Sequence, residues 1–268
     1  MPSLKSVKYK YLITGLFTSL LLSACTLTPH SEQLETDNVA SISTSVIYQR
    51  HSKEYPLLAS YVYQQAIDAL PEKFAQTESP GVVVMDIDET VLDNSLYQEE
   101  RESLGLGYTS ESWNAWVKRK QATLVPGVRD FLNTVVERGG KVALITNRNK
   151  PLDSYTWDNL LDLGLPLTPA NTCILGRVSA DKSAVDGIVF KNDKDRRRQA
   201  LKEGKADCSN LGEGSSTWQT KHTIIMQIGD NIEDFEGVTQ EDADVSAILP
   251  KVGKTLFILP NPMYGSWQ

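Results

Sequence analysis

The chain has 268 residues and a formal net charge of −7 at neutral pH. This length is enough for one α/β domain with a sizeable core. The acidic balance, with no stripe of basic residues, argues against a nucleic acid polymer as partner. An acidic protein can still bind small phosphate esters, but a metal ion and a few local cations must then hold the anion.

The first 24 residues predict a targeting segment rather than part of the fold. Three lysines precede an apolar stretch, Tyr11–Leu22, that is too short to span a bilayer. The following Ser23-Ala24-Cys25 completes what resembles a bacterial lipobox, which implies cleavage before Cys25 and lipidation of its thiol. Thr26 follows in place of an aspartate, which implies sorting to the outer membrane of the bacterial cell envelope. An ordinary signal peptide and an uncleaved anchor are the alternatives.

Residues 25–46 are rich in Ser, Thr and other polar residues with little periodicity, which predicts a flexible tether. We expect the folded domain to span residues 47–268. Its first element is predicted to be an amphipathic helix between residues 51 and 75. The apolar positions that recur at helical spacing in this helix are Leu58, Val62, Ala66 and Leu70.

An apolar, β-branched run at residues 82–85 stops abruptly at two carboxylates on alternate positions, Asp86 and Asp88. Both faces of the run are apolar, which predicts a buried parallel strand. Open α/β sheets bind ligands at the carboxyl ends of their strands, so the two acids lie where such a sheet does chemistry. Carboxylates this close repel each other, and they are tolerated only with a cation between them or a proton on one.

The rest of the domain alternates between strand and helix, which predicts an α/β fold with a doubly wound parallel sheet. Further strands are predicted at residues 141–146, 172–175, 188–190, 223–228 and 255–259. Residues 92–125 interrupt the alternation with aromatic side chains among charges. We interpret this stretch as a small, mostly helical cap over the strand ends.

Polar residues follow four of the predicted strands. They are Asp86 and Asp88; Thr146-Asn147-Arg148; Lys191, with Lys194 close behind; and Asp230-Asn231 with Asp234. This order of acid, hydroxyl, lysine and acid pair resembles the haloacid dehalogenase superfamily. The second aspartate, two residues after the first, is typical of its phosphatase branch.

The match to one family extends further along the chain. Residues 86–95, 146–148 and 229–235, the lipobox and the closing stretch 260–267 resemble the class C acid phosphatases. These are bacterial outer-membrane lipoproteins of the four-aspartate phosphatase group. The resemblance implies a metal-dependent acid phosphatase that hydrolyses small phosphomonoesters, including 5′-mononucleotides, through an aspartyl-phosphate intermediate.

The resemblance also implies a role for each catalytic side chain. Asp86 would be the nucleophile, and Asp88 would donate a proton to the leaving oxygen and later take one from water. Thr146 and the backbone amide of Asn147 would hold phosphoryl oxygens. Lys191 would neutralise charge on the transferring group; we prefer it to Lys194 because it directly ends the apolar strand.

The expected cofactor is one Mg²⁺ per chain, or another divalent cation, because oxygen ligands suit a hard ion. Asp86 and Asp230 would supply carboxylates, Asp88 its backbone carbonyl, and Asp234 a further ligand or a supporting acceptor. Trp113, Trp116 and Tyr264 could stack on a nucleobase or another flat leaving group. For these aromatic residues, packing between cap and core is the alternative.

Several questions stay open from the sequence. Cys173 and Cys208 could form a disulfide in an oxidising compartment or remain buried free thiols. The three arginines at 196–198 are predicted to form an exposed face. Two other functions are possible: a non-catalytic, ligand-binding surface lipoprotein, and a phosphotransferase on the same scaffold.

Overall fold

A computed structural model describes residues 41–268, apart from 76–77, 183–191, 193 and 209–214. The signal segment, most of the predicted tether, the predicted strand at 188–190 and Lys191 therefore lie outside the described residues. In the part of the chain that the structure describes, no helix has both the length and the apolar character needed to cross a membrane.

The centre of the domain is a parallel sheet of five strands in the order β5-β4-β1-β6-β7. The strands, numbered in chain order, are β1 (Gly81–Met85), β4 (Lys141–Asn149), β5 (Thr172–Arg177), β6 (Thr223–Gly229) and β7 (Leu256–Ile258). Two further strands of the described residues, β2 (Leu92–Asp93) and β3 (Thr123–Leu124), form a separate antiparallel pair. The prediction of an α/β fold built on a parallel sheet is confirmed.

The described helices are α1 (Thr44–His51), α2 (Glu54–Ala69), α3 (Ser95–Ser103), α4 (Ser110–Arg119), α5 (Val128–Glu137), α6 (Asp153–Asp162), α7 (Asp195–Glu203) and α8 (Val245–Ile248). Among them, α2, α5 and α6 pack on one face of the sheet and α7 on the other. Side chains of β1 alternate between two core clusters, with Val83 and Met85 in the larger and Val82 and Val84 in the smaller. This alternation explains why both faces of the strand are apolar.

The amino-terminal helices differ from the sequence-based expectation. Helix α1 begins at Thr44, with Ser43 as its N-cap, so the last residues of the predicted tether are helical. In α2 the buried side chains are Tyr55, Ala59, Tyr63 and Ala66, whereas Leu58 is exposed. Of the other predicted apolar positions, Ala66 and Leu70 are buried and Val62 packs against the core, so the buried stripe departs from the prediction at Leu58 and in its two tyrosines. It contains tyrosine because the ring of Tyr63 packs on Phe131 of α5.

The inserted stretch after β1 contains two helices, α3 and α4, between the paired strands β2 and β3. Helix α1 contacts this cap through an ion pair between Arg50 and Glu99, with 2.8 Å between the closest atoms. The N-cap residue Ser43 also donates to Glu102 from its backbone nitrogen and its hydroxyl. Contacts with the amino-terminal helix therefore hold the cap, in addition to the covalent connections of the cap to the rest of the domain.

The two remaining cysteines form a disulfide, which resolves the question left open by the sequence. Cys173 on β5 is bonded to Cys208, and their Cα atoms are 5.4 Å apart. Both side chains are buried in the smaller core cluster. The bond fixes the segment after α7 to an outer strand of the sheet.

Candidate active site

Three acids meet at the carboxyl end of the sheet. Asp86 directly follows β1, and Asp230 and Asp234 follow the adjacent strand β6. One carboxylate oxygen from each of the three lies within 4.8 Å of the others. Parallel strands end at the same edge of the sheet, which is why residues so distant in sequence converge here.

A glycine allows Asp234 to approach the end of β6. A Cβ atom placed on Gly229 would lie 2.0 Å from Oδ2 of Asp234 and 2.2 Å from its Cβ. The carboxylate also accepts a hydrogen bond of 2.9 Å from the backbone nitrogen of Asn231. Only glycine leaves room for the chain to turn back and bring this acid beside Asp86.

Asp230 is fixed by neutral donors from distant parts of the chain. Thr90 donates to its Oδ1 at 3.0 Å, and the amide of Asn261 donates to its Oδ2 at 2.9 Å. The carbonyl of Thr90 accepts a hydrogen bond of 2.6 Å from the hydroxyl of Tyr63. Helix α2 and the carboxyl-terminal segment therefore both contribute to the position of this acid.

Lys194 lies between two of the three acids. Its Nζ is 2.5 Å from Oδ1 of Asp86 and 2.5 Å from Oδ1 of Asp234, and all three side chains are buried. The lysine is at the start of α7, where its own backbone nitrogen donates to the side chain of Asn192. The structure thus places Lys194 at the site, although the sequence favoured Lys191, which lies outside the described residues.

One ammonium does not balance three carboxylates, of which those of Asp86 and Asp234 are buried and that of Asp230 is half-buried. Burial raises the pKa of Asp86 to about 7, against the opposing attraction of Lys194 and with repulsion from Asp234 and Asp88. Burial, reinforced by Asp234 and Asp86, raises the pKa of Asp230 well above its ordinary value. A cluster of oxygen donors with excess negative charge suits a hard divalent cation, so the residues present fit such an ion.

Asp88 is paired with Arg148 instead of with the lysine. Nη2 of Arg148 lies 2.7 Å from Oδ1 of Asp88, and Nε lies 2.9 and 3.2 Å from its two oxygens. The guanidinium is almost fully buried. This two-pronged contact fixes the plane of the carboxylate next to Asp86.

Asn94 connects Asp88 to the cap. Its amide nitrogen donates to Oδ1 of Asp88 at 2.9 Å, and its oxygen accepts from the indole nitrogen of Trp116 at 2.8 Å. The oxygen also accepts from Arg148 at 3.2 Å. The loop that carries Asp88 contains Glu89, a buried residue with φ of 57° whose carboxylate accepts from the backbone nitrogen of Asn94.

The last residues of β4, which extends three residues beyond the predicted strand end, occupy different positions around the site. Thr146 is buried, and its hydroxyl accepts a hydrogen bond from the backbone nitrogen of Arg148. Asn147 is exposed and lines the cavity above the acids. Arg197 donates to the carbonyl of Thr146 and to the side chain of Asn147.

The prediction of an exposed arginine face is therefore wrong. Arg197 and Arg198 are both buried, the first against β4 and β5 and the second against Asp195 and the carbonyl of Glu233. The arginines anchor α7, which carries Lys194, to the sheet. Their run of charge suggested a solvated face because the sequence does not reveal which acids and carbonyls surround them.

A cavity of about 670 Å³ opens over the acids. Trp113 and Tyr264 line it, together with Tyr108, but Trp116 does not. Trp116 is buried, with its indole hydrogen-bonded to Asn94 and its ring beside Tyr97. The prediction that Trp116 stacks on a substrate is thus wrong, and the alternative of packing between cap and core describes it.

Several site residues were not assigned a role from the sequence. Arg148 was part of a recognised motif, but nothing in the motif indicated that it pairs with Asp88. Asn94 and Asn261 entered the sequence analysis only as members of the motifs at residues 86–95 and 260–267. Arg148 and Asn261 contact acids that are 60 and 31 residues away in the sequence, so these contacts are long-range. The partner of Asn94 is only 6 residues away.

The fold and the acid cluster define a phosphatase of the haloacid dehalogenase type, and comparison with known proteins gives the family. Residues 16–267 match the model of the family described as HAD superfamily, subfamily IIIB (acid phosphatase). The chain belongs to this family. It is an acid phosphatase, a phosphomonoester hydrolase, and the alternative of a non-catalytic surface lipoprotein is set aside.

Solved structures of class C acid phosphatases resemble the chain throughout the domain. One is the class C acid phosphatase from Bacillus anthracis, with 28% identity, a TM-score of 0.64, and coverage of 83% of this chain and 84% of that one. Another is the same kind of enzyme from Bacillus anthracis with tungstate bound, with 25% identity, a TM-score of 0.59 and the same coverage of both chains. The assignment to the class C acid phosphatases is confirmed.

Proposed function

We propose that the chain hydrolyses phosphomonoesters with the help of a divalent cation, Mg²⁺ by preference, and through an aspartyl phosphate on Asp86. The observation that carries this proposal is the convergence of Asp86, Asp230 and Asp234 around Lys194 at one edge of the sheet. Asp86, Asp230 and Asp234 would hold the ion by their carboxylates, with the backbone carbonyl of Asp88. The bound ion would screen the repulsion between the attacking carboxylate and the phosphoryl group.

In the first step, an oxygen of Asp86 attacks phosphorus while the bond from phosphorus to the ester oxygen breaks. Asp88 gives its proton to the leaving oxygen. In the second step, water attacks phosphorus, Asp88 takes a proton from it, and the bond to Asp86 breaks. Arg148 and Asn94 hold Asp88 in one orientation for both transfers.

Lys194 is positioned to act on the transferring group. It touches the nucleophile and a second acid, so its charge is close to the oxygens that gain negative charge in the transition state. We therefore assign it the role that the sequence suggested for Lys191. Asn147, which lines the cavity, would present its backbone amide to a phosphoryl oxygen.

We further propose that 5′-mononucleotides are among the substrates. Trp113 and Tyr264 line the cavity beside the acids, and the rings of Trp113 and Tyr108 are 6.3 Å apart. Flat aromatic rings stack on a nucleobase with about 1–3 kcal/mol per base in single-strand binders. That energy is enough to bias a broad phosphatase toward nucleotides without excluding small esters.

The central test replaces Asp86 by Asn, which removes the nucleophilic charge and keeps the shape of the side chain. We expect Asp86→Asn to abolish metal-stimulated hydrolysis of p-nitrophenyl phosphate, a loss of more than about 10³-fold, because no covalent intermediate can form. The thermal midpoint should stay at or above that of the wild type, since a buried carboxylate has been neutralised.

The matched control is Asp130→Asn, which removes an exposed acid from the first turn of α5. This variant should retain wild-type turnover. Turnover in Asp86→Asn equal to that of the control would rule out Asp86 as the nucleophile. Turnover that is unaffected by chelators in the wild type would rule out the metal.

We also propose that the protein is anchored by a lipid on Cys25 in the bacterial outer membrane, facing either the periplasm or the outside. The lipobox and the polar stretch that follows it support this location. With Cys25→Ser, we expect the protein to move from the detergent phase to the aqueous phase in a detergent-partition assay of expressing cells. Partition of the variant with the detergent phase, as for the wild type, would contradict lipidation at this residue.

A further inference from the structure

The cavity is much larger than a phosphoryl group needs, and its lining is unevenly charged. Five acids line it: Asp86, Asp88, Asp230, Asp234 and Glu233. Among the described residues, the cationic lining consists of Lys194 and Arg177. Lys194 is already paired with Asp86 and Asp234, so the arginine is the lining cation with charge to spare.

Arg177 is the last residue of β5 and is half-buried at the cavity wall. Its guanidinium has no hydrogen bond, ion pair or ring contact with any residue in the described part of the chain. The other buried arginines of the domain behave differently. Arg148 is committed to Asp88, and Arg197 to main-chain carbonyls. A half-buried arginine that lines a cavity and has no partner among the described residues is suited to an anionic ligand.

The position of Arg177 separates it from the reacting phosphoryl group. The register Met85↔Leu144↔Ile174 places β5 two strands away from β1. With strands about 4.8 Å apart and a rise of about 3.3 Å per residue, the Cα atoms of Asp86 and Arg177 are roughly 10–12 Å apart. An arginine side chain covers part of that distance, so a guanidinium there is suited to a group of the substrate other than the reacting phosphoryl group.

We propose that Arg177 binds a second anionic group, carboxylate or phosphate, on the leaving group of the phosphomonoester. This inference rests on the proposed function, because it takes the phosphoryl group to be bound at Asp86. It gives the enzyme a preference for doubly anionic phosphomonoesters. The acid-rich lining would otherwise repel such substrates.

The experiment compares matched substrate pairs that differ by one anionic group. Glycerol phosphate and phosphoglycerate test a carboxylate, and AMP and its 3′-phosphorylated derivative test a phosphate. The measured quantity is the ratio of kcat/KM for the more charged member to that for the less charged member. We expect Arg177→Gln to lower this ratio about tenfold for at least one pair, as expected for one lost charge-assisted contact.

The control variant is Lys254→Gln, which removes one positive charge from an exposed residue that does not line the cavity. It should leave the ratio at the wild-type value, and Arg177→Lys should restore part of the ratio. An unchanged ratio in Arg177→Gln for both pairs would overturn the proposal. An equal fall of kcat/KM for both members of each pair would also overturn it, since the arginine would then serve the phosphoryl group or the fold.

Failure of the proposed function would be recognised separately. A wild-type enzyme that hydrolyses none of the four esters would contradict that function, whatever Arg177 does. The second-anion proposal would then be decided by binding: the Kd ratio for non-hydrolysable phosphonate analogues of each pair, measured by calorimetry on wild type and Arg177→Gln. The same tenfold change is expected, and an unchanged ratio would overturn the proposal.

Discussion

At the scale of single residues, the site is governed by an imbalance of charge. Asp86 and Asp234 are buried and Asp230 is half-buried beside them, and Lys194 compensates for their charge only in part. Burial disfavours the charged form of Asp86 by more than its ion pair with Lys194 favours it, so the pKa of Asp86 rises to about 7. A divalent ion would replace protons bound to these acids, so protons and metal compete for the same oxygens.

The competition predicts how stability depends on pH. A carboxyl group whose pKa is raised from 3.8 to about 7 by folding stabilises the metal-free protein fully below about pH 4. That contribution is lost as the pH rises through about 7. In chelator, we therefore expect the thermal midpoint to fall between pH 4 and pH 7, and Mg²⁺ to raise it more at pH 7 than at pH 5.

Thermal unfolding at the two pH values, with chelator and with Mg²⁺, is the measurement. In Asp86→Asn the fall with pH should be smaller, because one of the titrating groups is gone. A Mg²⁺ shift that is equal at both pH values would contradict competition between the ion and protons at these acids.

At the scale of elements, the turn after β6 is the most constrained part of the site. A short segment follows Gly229 and brings Asp234 back over the end of the strand. There the carboxylate of Asp234 accepts a hydrogen bond from Lys194. The capping contacts of Asn231 hold this turn, since its side chain accepts from Glu233 and its backbone donates to Asp234. The position of one acid thus depends on the absence of a single methyl group.

We expect Gly229→Ala to lower kcat about a hundredfold, because a displacement of about 1 Å at a reacting centre costs that much. The added Cβ would otherwise lie 2.0 Å from Oδ2 of Asp234, so the acid must move away. Steady-state kinetics with saturating Mg²⁺ will measure the loss. Gly107→Ala is the matched control, since a Cβ there meets no atom within 4 Å; wild-type kcat in Gly229→Ala would show that Asp234 does not depend on this close approach.

The cap is connected to the catalytic loop rather than resting on it. Trp116 of α4 donates to Asn94, and Asn94 in turn donates to Asp88. The same helix lies beside the cavity through Trp113. One short helix therefore lines the cavity and, through Asn94, holds Asp88, the acid that we propose protonates the leaving group.

At the scale of the whole molecule, the disulfide supports the geometry of the site from a distance. It joins β5 to the segment after α7, and α7 begins next to Lys194. The bridged cysteines are 35 residues apart in sequence. Closing a loop of this length is worth about 4 kcal/mol in the chain-entropy description.

We expect replacement of both Cys173 and Cys208 by Ala to lower the free energy of unfolding by about 3–4 kcal/mol, through lost loop closure in the unfolded chain. Urea unfolding of wild type and double variant is the measurement. Reductant should lower the stability of the wild type toward that of the variant and leave the variant unchanged. A double variant as stable as the oxidised wild type would contradict the role assigned to the bond.

The sequence by itself determined the class of fold and the acids of the site. Apolar runs that stop at Asp86, Thr146 and Asp230 indicated parallel strands, and parallel strands end at a common edge. This rule predicts that acids distant in the sequence lie close together at one edge of the sheet. The spacing of apolar residues and the points where apolar runs end are local properties of the sequence. They can therefore be recognised without knowing which segments pack together.

Only the tertiary structure decided which residues complete the site. Lys194 reaches Asp86 from 108 residues away, Arg148 reaches Asp88 from 60, and Asn261 reaches Asp230 from 31. Tertiary packing also buried Trp116 in place of exposing it, and joined Cys173 to Cys208. These contacts depend on how helices and loops cross the sheet. The spacing of apolar residues in the sequence predicts helices and strands, but it does not show which distant residue will contact a charged side chain or an indole.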